Sequence, residues 1–434
     1  MTNAFLSTRL APRGMRTAVF AALALGAGAC SLDLTDPNAP AEEEVLNSPQ
    51  LVLTTAVGIQ AQYADNLHHF VRGPALVTDE WSTKPLALEA DRSLVTGNVD
   101  YSYGVVSGPF EAAYRVARTA DVLIEAAPRV GLSSGTEAGT VALALTLKAM
   151  GIGHLTTQYR DLPADYDPNG ATFLPREDVR DTVIALLEQA RATLGSVPAD
   201  SLVQFNTTVL GTNGLNLPNT VNAMLARYYL FDGQYQQAID AANRVPQNSL
   251  SQFLYPNPSF NPVWNYGLTL NYVGTRREFF TEARTGDLRP AYWATRASGV
   301  AGLPDSAFAF RKYGNRNDPF PVYLPDEMRL IRAEALVRQG NLPAARDLVN
   351  AVRTQCSSTV DEPLACLAAL PADALDSEAE LMAEILYQRR YELYAQGVRW
   401  EDLRRLAAYT TEKATIEFLP TPRDECVRNP NAGC

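Results

Sequence analysis

The sequence predicts an all-α chain, a solenoid of helical hairpins interrupted by an irregular, loop-rich subdomain. Three observations carry that expectation. Ala226, Gly233 and Ala238 stand at the same mutual spacing as Ala333, Gly340 and Ala345; the alanines let two helices approach closely and the glycine ends the first of them. Residues 249–323, between the two copies, are rich in Pro, Asn, Gly and aromatics and follow no helical period. At 434 residues and 46% hydrophobic content, the chain can bury a large core as one big domain or two.

Taken in order, Arg9, Arg13 and Arg16 precede an apolar run from Thr17 to Ala29 that is too short to span a bilayer and ends in small residues. That is the pattern of a secretory signal peptide, so residues 1–29 are expected to be removed ahead of Cys30. The segment holds three arginines and no acid, and its loss takes the formal charge from −11 to −14. Such an acidic chain argues against a nucleic-acid partner. Residues 30–48, polar and acidic with prolines, read as an extended tether leading into one large domain, 49–434. No later segment is expected to reach transmembrane length, which leaves a lipid as the means of membrane attachment.

Residues 50–79 have helical period and are expected to break at Gly73 and Pro74. His68 and His69 are neighbours there, and neighbours on a helix point in different directions, which makes them poor joint metal ligands. From Trp81 to Gly108 there is no sustained period, and Trp81, Tyr101 and Tyr103 are mixed with charged residues; a long loop of that kind inside a helical domain points to function. Helices are expected over Pro109–Ala127, Thr136–Tyr159 and Arg176–Leu194, with His154 packed in the core. The hairpin around Ala226 follows, completing helices over about 49–248. A second helical block spans 324–405, where Gly340 takes the left-handed position after one helix, Asn341 caps the next and Pro343 fits its first turn.

The two hairpins have tetratricopeptide-repeat (TPR-like) spacing, and a solenoid of this kind needs about three or more repeats to bury its core. Four cysteines besides Cys30 make an even number in an exported chain, and close spacing favours Cys356 with Cys366 and Cys426 with Cys434. Zinc is the competing reading, but no CxxC pair occurs and the three histidines lie far from these cysteines in sequence.

No HExxH or phosphate-binding glycine loop occurs. The chain is therefore not expected to be an enzyme, nor to carry a cofactor or metal. Binding is the better expectation. Sugars offer flat C–H faces that stack on aromatics and hydroxyls that need fixed polar partners; Trp81, Tyr101, Tyr103, Trp264, Tyr266 and Trp293 are the candidates. The charged run near the C-terminus reads as a structural clamp, with Arg389 beside Glu392 and Arg399 beside Asp402 at helical neighbour spacings.

Two stretches carry a family resemblance. LPDEMRLIRAEAL, beginning at Leu324, and the pattern from Arg389 through Glu392, Gly397, Arg399, Trp400 and Asp402 to Arg405 resemble the SusD/RagB family of bacterial outer-membrane nutrient-binding lipoproteins. Gln396 stands where the family usually has Glu. The run LALGAGAC resembles a lipobox, with Ala27 in place of the usual Leu and Cys30 as the lipidated residue. The resemblance implies a lipid-anchored protein on the outer face of the outer membrane. It would capture an oligosaccharide, or a peptide or other nutrient, and pass it to a SusC-like TonB-dependent transporter. The alternative is an exported TPR scaffold that binds protein partners only.

Overall fold

The computed structural model describes residues 47–167, 169–211, 214–295, 307–371, 373–374, 376–406 and 414–434. Its longer helices are α1 (Pro49–Asp65), α2 (Leu67–Val77), α3 (Glu89–Thr96), α4 (Gly104–Ala126), α5 (Ser134–Thr156), α6 (Arg176–Gly195), α7 (Leu217–Phe231), α8 (Tyr235–Asn243), α9 (Pro325–Arg338), α10 (Leu342–Arg353), α11 (Glu378–Glu392) and α12 (Arg399–Arg405). The strands are short: β1 (Trp81–Thr83), β2 (Asp161–Pro163), β3 (Phe173–Pro175), β4 (Ser251–Phe253), β5 (Val273–Arg276), β6 (Ala294–Thr295), β7 (Ala307–Phe310) and β8 (Phe320–Tyr323). The fold is thus predominantly helical and TPR-like, as expected.

The helices pack as a solenoid. α1 lies against α4 and α5, α5 against α6, α6 against α7, α7 against α8, α8 against α9, and α9 against both α10 and α11. The repeat residues act as their types require: Ala226, Ala238, Ala333 and Ala345 are completely buried where the helices meet, and Gly233 and Gly340 turn the chain at φ 74° and 79°. The Asn341 side chain accepts from the Ala344 N–H and caps α10. At α11 the Ser377 and Glu380 side chains form a reciprocal capping box.

Four expectations change. The first helical stretch breaks at Asn66, not at Gly73; α2 runs through Gly73 and Pro74 to Val77. Pro74 removes one backbone donor, yet almost every residue of α2 is buried, and packing outweighs that loss. The next long helix starts at Gly104, before Pro109, and the eight-residue α3 lies within the stretch read as a loop, too short to display a period. Contrary to the reading that no later segment reaches transmembrane length, the 23-residue α5 is long and apolar enough to cross a bilayer, but 94% of its most apolar window is buried in the protein.

The fourth change is that the irregular region is tied to the rest by a sheet of order β1-β5-β7-β6. β1 pairs antiparallel with β5, Trp81 opposite Thr275, so the first loop joins β5, β6 and β7 of the irregular region in one sheet. Disulfides join Cys356 to Cys366 and Cys426 to Cys434, the pairing favoured by spacing.

Candidate functional site

The charged signature near the C-terminus is a buried clamp, but its partners differ from those that helical spacing suggests. Arg389 pairs with Asp402 at 2.7 Å, and Arg405 bridges Asp402, also at 2.7 Å, and Glu334 of α9. Arg399 reaches Asp79, which also takes Arg390 at 3.1 Å. Glu392 faces Arg289 at 3.6 Å. The neighbour rule fails because these side chains are desolvated. After α11 the chain reverses through Ala395 and Gly397, both at positive φ, and each charge takes its partner from whatever element packs against it. Burial pushes the Asp402 carboxyl up, but Arg389 and Arg405 outweigh it and hold it below its ordinary value. Glu401, which the sequence reading did not single out, holds Arg176 at 2.6 Å and Arg404 at 2.9 Å. Gln396 donates to the Tyr313 hydroxyl, so the amide has its own partner where the family usually has an acid.

The six candidate aromatics separate into three groups. Trp81 and Trp293 are only 1% exposed. Trp81 packs beside Phe310 and the Trp293 indole donates to the Tyr391 carbonyl; both belong to the core and present no face to a ligand. Tyr101 is 44% exposed and Tyr103 precedes α4, but their segment runs beside the C-terminal tail, the Tyr101 carbonyl accepting from the Arg423 N–H. Trp264 and Tyr266 remain, both half-buried, on one short stretch. Cys30 lies outside the described residues.

That stretch is built with care for its backbone. The Asn261 side chain accepts from the N–H groups of Val263 and Trp264 and starts the turn that presents Trp264; residues 265–269 continue it as a π-helical turn, a form often found at functional sites. Asn271 sits in the left-handed region at φ 56°, where Asn is tolerated better than most residues. The Lys84 ammonium, itself buried, locks both pieces by donating to the Gly267 carbonyl at 2.9 Å and the Asn271 side chain at 2.8 Å. Burial lowers this ammonium to about 8.

A second tier supports the ledge. Arg72 of α2 lies over the Tyr266 ring at 4.7 Å, bonds its hydroxyl, and stands 3.5 Å from buried Asp91 of α3. His68 stacks on the same ring at 5.0 Å; burial, then Arg72, lowers it to about 4, so it packs as a neutral ring. On the outer side, Phe260 is 40% exposed, 6.3 Å from the Trp264 ring, with Arg316 over its face at 5.6 Å. The arrangement offers rigid ring faces beside amide and cationic donors, and no acid–base pair or nucleophile poised for chemistry. It suits a ligand with apolar faces and many hydroxyls.

A cleft of about 670 Å³ lies elsewhere, between α9 and α11. Its guanidiniums, those of Arg390, Arg399 and Arg405, are already engaged in the clamp, so it is a weaker ligand candidate.

Comparison with known proteins joins the fold to the signature. Residues 297–422 match the model of the SusD family. That match covers less than a third of the chain and lies over its C-terminal signature. A SusD superfamily protein from Bacteroides thetaiotaomicron VPI-5482 superposes with TM-score 0.69 at 17% identity, covering 88% of this chain and 98% of that one. A laminarin-binding SusD-like protein gives TM-score 0.64 at 17% identity, with coverage of 87% and 99%. Surface glycan-binding protein A from Bacteroides thetaiotaomicron, solved with laminarihexaose, gives 0.64 at 14%, with coverage of 89% and 99%. No curated protein matches this chain in sequence.

Proposed function

We propose that this SusD-family protein binds an oligosaccharide at the cell surface and hands it to a SusC-like TonB-dependent transporter, without chemical turnover. The observation that carries the reading is the ledge of Trp264, Tyr266 and Phe260, rigidly supported from α2 and Lys84 on a fold shared with glycan-binding relatives. Ring faces fixed in advance bind sugar rings with little loss of side-chain freedom. Lipidation at Cys30 would hold the protein at the outer membrane, and the solenoid would offer the transporter an extended helical surface.

An immobilised panel of glycans and peptides tests the ligand class, and affinity capture from the native envelope tests the partner. Retention on β- or α-glucans together with capture of a large TonB-dependent barrel is the expected result. Retention of soluble proteins alone, with no glycan bound, would favour the scaffold reading.

A further inference from the structure

Three carboxylates far apart in the sequence meet in the interior. Asp326 belongs to the first turn of α9, Glu362 to the loop closed by the Cys356–Cys366 disulfide, and Glu392 is the last residue of α11. Each is 5% exposed or less, and one oxygen from each lies within 4.8 Å of the others.

Their hydrogen bonding is incomplete. Asp326 is held by Arg329. Glu362 uses Oε1 to accept from the Gln355 amide at 2.7 Å and from the Ser358 hydroxyl, while its buried Oε2 accepts no hydrogen bond. Neither oxygen of Glu392 accepts one. Arg289 stands 3.6 Å from it, an ion-pair distance, because its guanidinium is directed at Asp287 with bonds of 3.0 and 2.7 Å. With all four ionised, Asp287, Asp326, Glu362 and Glu392 would carry two negative charges more than Arg289 and Arg329 offset. Buried carboxylate oxygens without donors are costly, and one divalent cation balances the charge and fills the vacant acceptor positions together.

We propose that Asp326, Glu362 and Glu392 form a calcium site that fastens the disulfide loop to α9 and α11. All-oxygen ligands select a hard cation, oxygens within 4.8 Å of one another can share one ion, and a buried carboxylate cage suits calcium better than magnesium, which dehydrates reluctantly and keeps several waters. There is also a route in, because Glu362 lines a surface cavity of about 610 Å³ beside Tyr292 and Lys312. The site is separate from the aromatic ledge and does not depend on the glycan reading.

The test is calcium binding to the full chain after stripping with EDTA, followed by equilibrium dialysis, terbium luminescence with calcium competition, and thermal melting. The expected result is one equivalent of calcium, a Tm raised by about 2–4 °C at saturating metal, and affinity weakened at least tenfold in Glu362→Gln but not in Asp361→Asn, a neighbouring exposed carboxylate. Should Glu362→Gln not fold, wild-type stoichiometry and the Asp361→Asn control decide the matter. No bound calcium in the wild type, or equal affinity in folded Glu362→Gln, overturns the proposal.

Discussion

The Arg399 guanidinium donates to both oxygens of Asp79, at 2.9 and 3.0 Å, across 320 positions of sequence. This buried contact joins the end of α2 to the start of α12. Burial pushes the Asp79 carboxyl up, but Arg399 and then Arg390 outweigh it and bring it down to about 2. Asp79→Ala strands the buried Arg399 guanidinium, while Arg390 keeps Glu282, and is expected to cost about 3–5 kcal/mol. Chemical denaturation should show that cost, and a double-mutant cycle with Arg399→Ala should give a combined loss smaller than the sum.

Next to it, Glu80 behaves in the opposite way. Burial, then Asp79, pushes its carboxyl from 4.5 up to about 8, and only one oxygen has a donor, the Ala395 N–H at 3.2 Å. The folded chain therefore keeps a proton that the unfolded chain releases. The resulting stability is full below pH 4.5 and is lost as pH rises through about 8. Glu80→Gln keeps the acceptor and removes the titration. Between pH 5 and 9 the wild type should lose a few kcal/mol relative to this variant, measured as parallel denaturation curves; superimposable pH dependence would rule the effect out.

Gly397 turns the chain at φ 74°, and a Cβ there would lie 2.8 Å from the Phe70 carbonyl oxygen. Backbone strain and backbone contact act together, so Gly397→Ala should cost roughly 2–4 kcal/mol. Gly340, at φ 79° with nothing within 4 Å, carries the strain alone. Gly340→Ala should therefore melt distinctly above Gly397→Ala.

Removing the Cys356–Cys366 bond by paired serine substitution should lower stability by about 2–3 kcal/mol, the chain-entropy value for a loop of this length. The loss should appear in thermal melts as a lower midpoint with the helical spectrum retained.

The solenoid was legible because small residues at fixed spacing leave little freedom: Ala226 and Ala333 must be small for the helices to touch, and Gly233 and Gly340 must be able to turn. The clamp was legible by residue type but not by pairing. Arg399 has Asp402 as a helical neighbour and chooses Asp79, a choice made by burial between elements that sequence does not order in space. Trp81 and Trp264 show the same limit. Both lie in aperiodic, aromatic stretches, yet Trp81 is buried in a strand paired with β5 while Trp264 is only half-buried, a difference the sequence does not mark. The meeting of Asp326, Glu362 and Glu392 had no signal at all, because its members come from three elements with no fixed spacing.

The central claim is that the ledge at Trp264 holds the sugar, and the most direct measurement is glycan affinity by calorimetry in Trp264→Ala beside Trp81→Ala. The account predicts that Trp264→Ala weakens binding at least tenfold, as loss of a stacking platform worth roughly 1.5 kcal/mol or more requires, with a smaller fall in melting temperature than Trp81→Ala because Trp264 is only half-buried. Trp81→Ala should lower the melting temperature through lost core packing. Undiminished glycan affinity in a folded Trp264→Ala protein would contradict it.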